Sequence, residues 1–202
     1  MQDVNTGNIQ RLEAMITEAR KISIVTHQKP DGDAMGSSIA LYHFLRMYGK
    51  DSVRIILNDR FPSYLDFLTS DISETDLIFF QEMPDTAEIL IKDSDLIFCL
   101  DFNAFHRTDR IEPALSDSKA EKILIDHHLN PDRGVFDLIF SDAPYDLEGS
   151  EEVIKLVLER DLLKDGGILI FEHSKDQNFS EHPNLWQTRS YGSVQFSFFK
   201  KV

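Results

Sequence analysis

Ile22-Ser23-Ile24-Val25-Thr26-His27-Gln28-Lys29-Pro30-Asp31-Gly32-Asp33-Ala34-Met35-Gly36-Ser37-Ser38 is the stretch on which the fold turns. Its first five residues are mostly β-branched and read as a buried strand, while Pro30 and Gly32 mark a tight turn. Residues 35–48 then set Ile39, Leu41, Phe44 and Leu45 at helical spacing, with Gly49 as the stop. A strand, a short polar loop and a helix in that order open an α/β unit.

Working outward, Ile9, Leu12, Met15 and Ile16 predict a helix over 8–20, and Val53 to Leu57 predict a second strand. Residues 61–95 are less regular, with helical pieces near 62–68 and 85–92 and a short strand at Leu77 to Phe80. Leu96 to Leu100 and Lys122 to Ile125 are short apolar runs that each end directly in an acid, Asp101 and Asp126. Further strands are expected at Asp137 to Ser141 and, after Gly166-Gly167, at Ile168 to Phe171, with a helix over roughly 149–163 between them. Val194, Phe196 and Phe198 alternate beyond Gly192, as in a closing strand or hairpin. The expected fold is therefore α/β, a mainly parallel sheet flanked by helices with a C-terminal edge strand or hairpin. Ligands of such sheets collect outside the carboxyl ends of the strands.

Composition narrows the function classes. The chain has 202 residues, 42% hydrophobic and 28% charged, which suits a folded domain or two small ones. A net charge of -14 offers no basic surface for long nucleic acid, so a nucleotide substrate must be short or held by metal. Cys99 sits in the apolar run Leu96 to Leu100 and reads as a strand residue, not a nucleophile or ligand. Neither a signal sequence nor an apolar run long enough for a membrane span is present, and a cytoplasmic protein with no membrane partner is expected.

Three strand ends carry the chemistry: His27, Asp31 and Asp33 after the first, Asp101 after a middle one, and Asp126-His127-His128 after the next. In a parallel sheet these converge. Carboxylates with imidazoles suit Mn2+ or Mg2+, two of which, roughly 3.5–4 Å apart, activate a water and stabilise the leaving oxygen of a displaced phosphoryl group. Asp101 stands alone between the other two loops and is the natural bridging carboxylate. His43 and His106 have ordinary explanations on a helix surface and in a loop. Trp186, Phe196, Phe198 and Phe199 are read as packing residues, and His173 is assigned no chemistry.

The motifs His27 to Ser38, Leu100-Asp101-Phe102-Asn103 with Arg107, and Ile125-Asp126-His127-His128-Leu129-Asn130-Pro131 resemble the DHH phosphoesterases, especially the nanoRNase and 3′-phosphoadenosine 5′-phosphate (pAp) phosphatase branch. The resemblance covers roughly residues 8–133. It implies that His27 and Asp31 bind one ion, Asp33 and His127 the other, and Asp101 both. It also implies that His128 faces the substrate phosphate, that Asp126 orients His127, and that the two ions are manganese, with magnesium as the alternative. Implied substrates are short RNA or a small nucleotide phosphate such as pAp, and a homodimer is left open. The family's later Thr-Asp-Thr-Gly-like ligand motif and its Gly-Gly-Gly-His motif do not occur in this sequence.

From residue 134 the chain resembles RsmD-type methyltransferases, which modify a guanine of 16S ribosomal RNA. The likeness rests on Phe136 to Tyr145, Gly166 to Ser174 and Arg189 to Val194, with Ala143 where the family's Asp-Pro-Pro-Tyr motif has its first proline. No Gly-x-Gly loop for S-adenosylmethionine follows any strand. Two units are thus expected, a phosphoesterase-like part over 1–133 and a partial methyltransferase-like part over 134–202 that extends the same sheet. The expected activity is metal-dependent phosphoester hydrolysis; a methyltransferase remnant and a chimera that binds metal or nucleotide without turnover are the alternatives. Asp142, also at a strand's carboxyl end, is a candidate for the missing metal ligand.

Overall fold

In the computed structural model, which describes residues 7–128, 135–142 and 152–201, the quoted stretch is the centre of a nine-stranded sheet. The strands are β1 (Lys21–Thr26), β2 (Ser52–Leu57), β3 (Leu77–Phe79), β4 (Leu96–Leu100), β5 (Glu121–Asp126), β6 (Phe136–Ser141), β7 (Leu163–Ser174), β8 (Leu185–Tyr191) and β9 (Val194–Lys200). They lie in the order β3-β2-β1-β4-β5-β6-β7-β9-β8. Pairing is parallel from β3 to β7 and antiparallel at β7–β9 and β9–β8, so the expected mixed fold with a terminal hairpin is what forms.

The helices are α1 (Gly7–Glu18), α2 (Gly32–Met47), α3 (Pro84–Lys92), α4 (Glu112–Asp117) and α5 (Glu152–Glu159), with two short 3-10 segments at Ser63–Thr69 and Phe105–Ile111. Strand alternation sends successive side chains to opposite faces. One face, with Ile24, Ile55, Phe98, Ile123 and Leu138, is covered by Met15 and Ile16 of α1 and by Met35, Ile39 and Leu45 of α2. The other, with Val25, Ile56, Cys99, Leu124 and Ile139, is covered by Ile91 of α3, Leu115 of α4, and Val153 and Val157 of α5. Cys99 is buried, and burial pushes its thiol up to about 12, as befits a packing residue.

Three boundaries differ from expectation. Helix α2 begins at Gly32, not at 35, because the Asp31 carboxylate accepts the Asp33 and Ala34 N–H groups, both at 3.1 Å. That cap turns a Gly-Asp pair that looks like loop into a first helical turn, where an acid is favourable. Helix α5 ends at Glu159, and the stretch of its expected range before 152 lies outside the described residues. Strand β7 starts at Leu163, so Gly166-Gly167 lie within it and do not precede it. Gly166 has φ +73°, and a Cβ on Gly167 would sit 2.7 Å from the Lys164 carbonyl, so glycine is what lets the strand bulge and continue.

No seam in the sheet separates the segment after residue 134. β6 pairs with β5 over Ile123↔Leu138 to Asp126↔Ser141. Asp137 accepts the Lys122 N–H at 3.0 Å and the Lys164 ammonium at 2.7 Å, and the Arg11 guanidinium of α1 reaches the Gly166 carbonyl at 2.8 Å. Among the described residues no helix is long and apolar enough to cross a membrane.

Candidate metal centre

Strand order sets the site. The chain leaves β1 for β2 on one side and returns to β4 on the other, so a crevice opens where the two connections diverge, at the carboxyl ends of β1 and β4. His27 follows β1 directly and Asp101 follows β4. The ladder hydrogen bonds continue past the strand ends, with the Asp101 N–H on the Ile125 carbonyl (3.0 Å) and the Asp142 N–H on the Asp126 carbonyl (3.3 Å). Asp101, Asp126 and Asp142 therefore stand on adjacent strand ends. Asp101 has φ +60°, a left-handed conformation that Asp tolerates better than most residues.

A second layer of polar contacts holds the His27 loop. Its Gln28 N–H bonds the Arg107 carbonyl at 2.7 Å, and its Lys29 N–H bonds the Asp59 carboxylate at 3.0 Å. Fully buried Asn58, at the end of β2, donates to Asp59 (2.9 Å) and Asp109 (3.3 Å) and accepts the Arg110 N–H (3.2 Å). Loops after β1, β2 and β4 are thus tied to each other through one carboxamide.

Two donor clusters result, His27-Asp31-Asp101 and Asp101-His127-His128, each with its donor atoms within 4.8 Å of one another. Asp101 belongs to both. Its Oδ2 is 3.7 Å from His27 Nε2, and its Oδ1 is 3.2 Å from His127 Nε2 and 3.7 Å from His128 Nδ1. His27 Nε2 is also 4.0 Å from Asp31, and its Nδ1–H is committed to the Gln28 carbonyl at 2.7 Å, which fixes the tautomer and leaves Nε2 with a lone pair for an ion.

The charges fit a cation. Asp101 raises the His27 imidazole above its usual value against the opposing effect of burial. Burial alone would push the Asp101 carboxyl up, but His27, His128 and His127 outweigh it and hold the carboxyl below its usual value. With oxygen and imidazole donors and no thiolate, the cluster suits Mn2+ or Mg2+ better than a sulfur-seeking metal.

Asp126 departs from expectation. Its Oδ1 accepts the His128 Nδ1–H at 2.6 Å, so the residue it orients is His128, whereas the resemblance implied His127. Burial pushes its carboxyl up despite that partner. Asp33 lies outside both clusters, in the first turn of α2, and is exposed on the rim. It lines a cavity of about 490 Å³ together with Ser37, Asp101, Asp126, His127 and exposed Asp142. Leu100, Ile125 and Phe140 complete that lining, and the sequence places them in strands without giving them a role at the site. Their signal was present: each immediately precedes the last strand residue or its acid, on a face where apolar residues alternate.

Other titratable groups are placed elsewhere. His43 faces Asp71 at 3.6 Å, and His106 is exposed. His173 is buried, donating from Nδ1 to the Ser174 carbonyl and meeting Ser197 Oγ at 2.8 Å with Nε2, while burial pushes its pKa down. Leu129 to Pro131 and Ala143 to Tyr145, parts of the motifs quoted above, lie outside the described residues.

Comparison with known proteins agrees with both resemblances. The profile described as DHH family, N-terminal domain, matches residues 21–173, past residue 133 and through β6 into β7. A bifunctional oligoribonuclease and PAP phosphatase of Thermus thermophilus is 36% identical over 86 residues, 42% of this chain and 25% of that protein. An uncharacterized methylase of Rickettsia prowazekii is 31% identical over 90 residues, 42% of this chain and 38% of that one. The crystal structure of an exopolyphosphatase-related protein from Bacteroides fragilis superposes with a TM-score of 0.62 at 34% identity, over 80% of this chain and 46% of that one. The chain spans less than half the length of each of these relatives.

Proposed function

The chain belongs to the DHH family, and on that premise we propose that it hydrolyses phosphate esters with a pair of divalent ions bridged by Asp101. The observation that carries this reading is the placement of the two Asp101 oxygens, one toward His27 and the other toward His127. In the assignment we favour, His27, Asp31 and Asp101 hold one ion, and Asp101, His127 and Asp33 the other. Asp142, on the same cavity wall, stands in for the acidic ligand that the family motif would supply. Mn2+ is the proposed metal, with Mg2+ the alternative. When bound, the ions polarise the phosphoryl group and lower the pKa of a water poised to attack it.

The protein groups divide the remaining work. Asp101, with one oxygen toward His27 and the other toward His127, would help to hold both ions. Asp126 holds His128 through Nδ1, which leaves Nε2 of His128 as the nitrogen for a phosphoryl or leaving-group oxygen. The Asn58 network fixes the loop that carries His27 and Asp31. The proposed substrates are short oligoribonucleotides or a small nucleotide phosphate such as pAp. They are consistent with a net charge of -14, which disfavours long polyanions.

The test is phosphate release from pAp, and mononucleotide release from a dinucleotide RNA, by the purified chain with Mn2+ beside Asp101→Asn. Hydrolysis that the variant loses supports the two-ion centre. An absence of hydrolysis at every Mn2+ concentration returns the chain to a binding role. A methyltransferase reading draws on the methylase relative, and measurable binding of S-adenosylmethionine would favour it.

A further inference from the structure

Past the ligands, the cavity floor becomes apolar. Leu100, Ile125 and Phe140 are register partners on neighbouring strands and so share one face of the sheet. That face carries α1 and α2, while α3, α4 and α5 all pack on the opposite one. Toward the carboxyl edge of β5 and β6 burial falls off: Ile123 is fully buried, yet Ile125, two residues on, is 36% exposed.

The apolar floor continues away from the ligands as a row of rings. Phe140 lies 6.2 Å from Phe196, and Phe196 lies 5.6 Å from Tyr191, which is half exposed. Because β9 runs antiparallel to β7, Phe196 and the β8–β9 turn lie at the same edge of the sheet as Asp101 and Asp142. Phe198 and Phe199 are buried, as expected for packing residues, but Phe196 is only partly covered and joins this row. Further out, the Arg189 guanidinium lies over Phe198 at 5.2 Å, its two Nη atoms without a hydrogen-bond partner among the described residues.

An apolar surface of partly exposed aromatic rings beside a phosphate-cleaving centre suits a group that is flat and apolar on its faces while carrying a phosphate at one end. A nucleobase has that form, and stacking on aromatic rings binds bases without regard to sequence. In so acidic a chain, stacking also supplies recognition that backbone phosphates cannot. The cavity lined by Ile125 and Phe140, about 490 Å³, falls within the range of small-ligand pockets, and Phe196 adjoins it through its contact with Phe140. The geometry points to a base-stacking subsite formed by Ile125, Phe140 and Phe196, which makes the substrate of this centre a nucleotide held by its base, and not a base-free ester or a polyphosphate. This rests on the phosphoesterase reading for its chemistry and on the floor alone for its binding.

The experiment is calorimetric titration of the full chain, loaded with Mn2+, with AMP and with ribose 5-phosphate, for the wild type, Phe140→Leu and Phe196→Leu. The leucine variants keep the floor apolar and remove the ring, and thermal melts confirm that they fold. AMP is expected to bind on the order of tenfold more tightly than ribose 5-phosphate, and Phe140→Leu to erase most of that advantage while leaving ribose 5-phosphate unmoved. Equal binding of the two ligands by the wild type, no binding of either, or an AMP advantage intact in both variants overturns the subsite. The two readings separate cleanly. A base-dependent affinity without pAp hydrolysis keeps the floor and removes the phosphoesterase, whereas hydrolysis without base preference does the reverse.

Discussion

The carboxyl edge of the sheet changes character between β5 and β6. From β1 to β5 the strands end in His27, Asp101 and Asp126-His127-His128, with the loops after β1 and β4 tied down by Asn58, Asp59 and the Arg107 carbonyl. From β6 to β9 the same edge presents Phe140, Phe196 and Tyr191, with Asp142 as this half's carboxylate on the cavity wall. One hydrogen-bonded sheet thus carries two kinds of edge, a polar one of carboxylates and imidazoles and an apolar one of partly exposed rings. Strand register places the residues in both cases; what differs is whether a loop or a ring follows.

The sharpest way to break the contrast is at its polar centre. Asp101→Asn should lower Mn2+-dependent hydrolysis by roughly 10²–10³-fold or more, since it takes a charge from both halves of the ion pair while keeping the shape. A rate within a few-fold of wild type would remove Asp101 from the centre.

Whether the two halves are one structure is tested at their join. Ile139 of β6 is 2% exposed and packs in the core beneath α3, α4 and α5. Ile139→Ala should cost about 2–5 kcal/mol and shift a single denaturant transition. Two transitions, with only one displaced, would show halves that fold separately.

A smaller effect sharpens the polar side. Asp126→Asn should reduce the rate by roughly 10–100-fold through loss of its hold on His128, with the fold intact by circular dichroism. The smallest effect tests whether the apolar half lends the centre a ligand. Asp142→Ala should weaken Mn2+ binding by about tenfold, read by calorimetry so that turnover is not needed. Unchanged affinity and rate would confine metal binding to the loops after β1, β4 and β5.

Much of this was legible in the sequence. Short apolar runs ending in acids announced β4 and β5, and the run Ile22 to Thr26 followed by His27 announced β1, whereas the strand order that makes a crevice beside it came from the structure. What escaped depends on contacts distant in the chain or on a single backbone choice. The early start of α2 follows from one carboxylate cap on Gly32-Asp33, residues whose propensities favour a loop. The long β7 follows from a glycine bulge where a pair of glycines suggested a break. The choice of His128 over His127 as the partner of Asp126 is a matter of side-chain direction at a strand end, which spacing does not encode. Phe196 alternates as a packing residue would, yet it is only partly covered, which alternation does not encode.

The left-handed backbone at Asp101 has a consequence for how position 101 tolerates change. A residue there faces a conformational filter before any chemical one. Asparagine and glycine pass it, whereas a β-branched side chain brings an added cost of about 1–2 kcal/mol to a loop that must hold its angle. Variants at this position therefore sort by shape first and by charge second, and an inactive valine would say nothing about metal, while an inactive asparagine would.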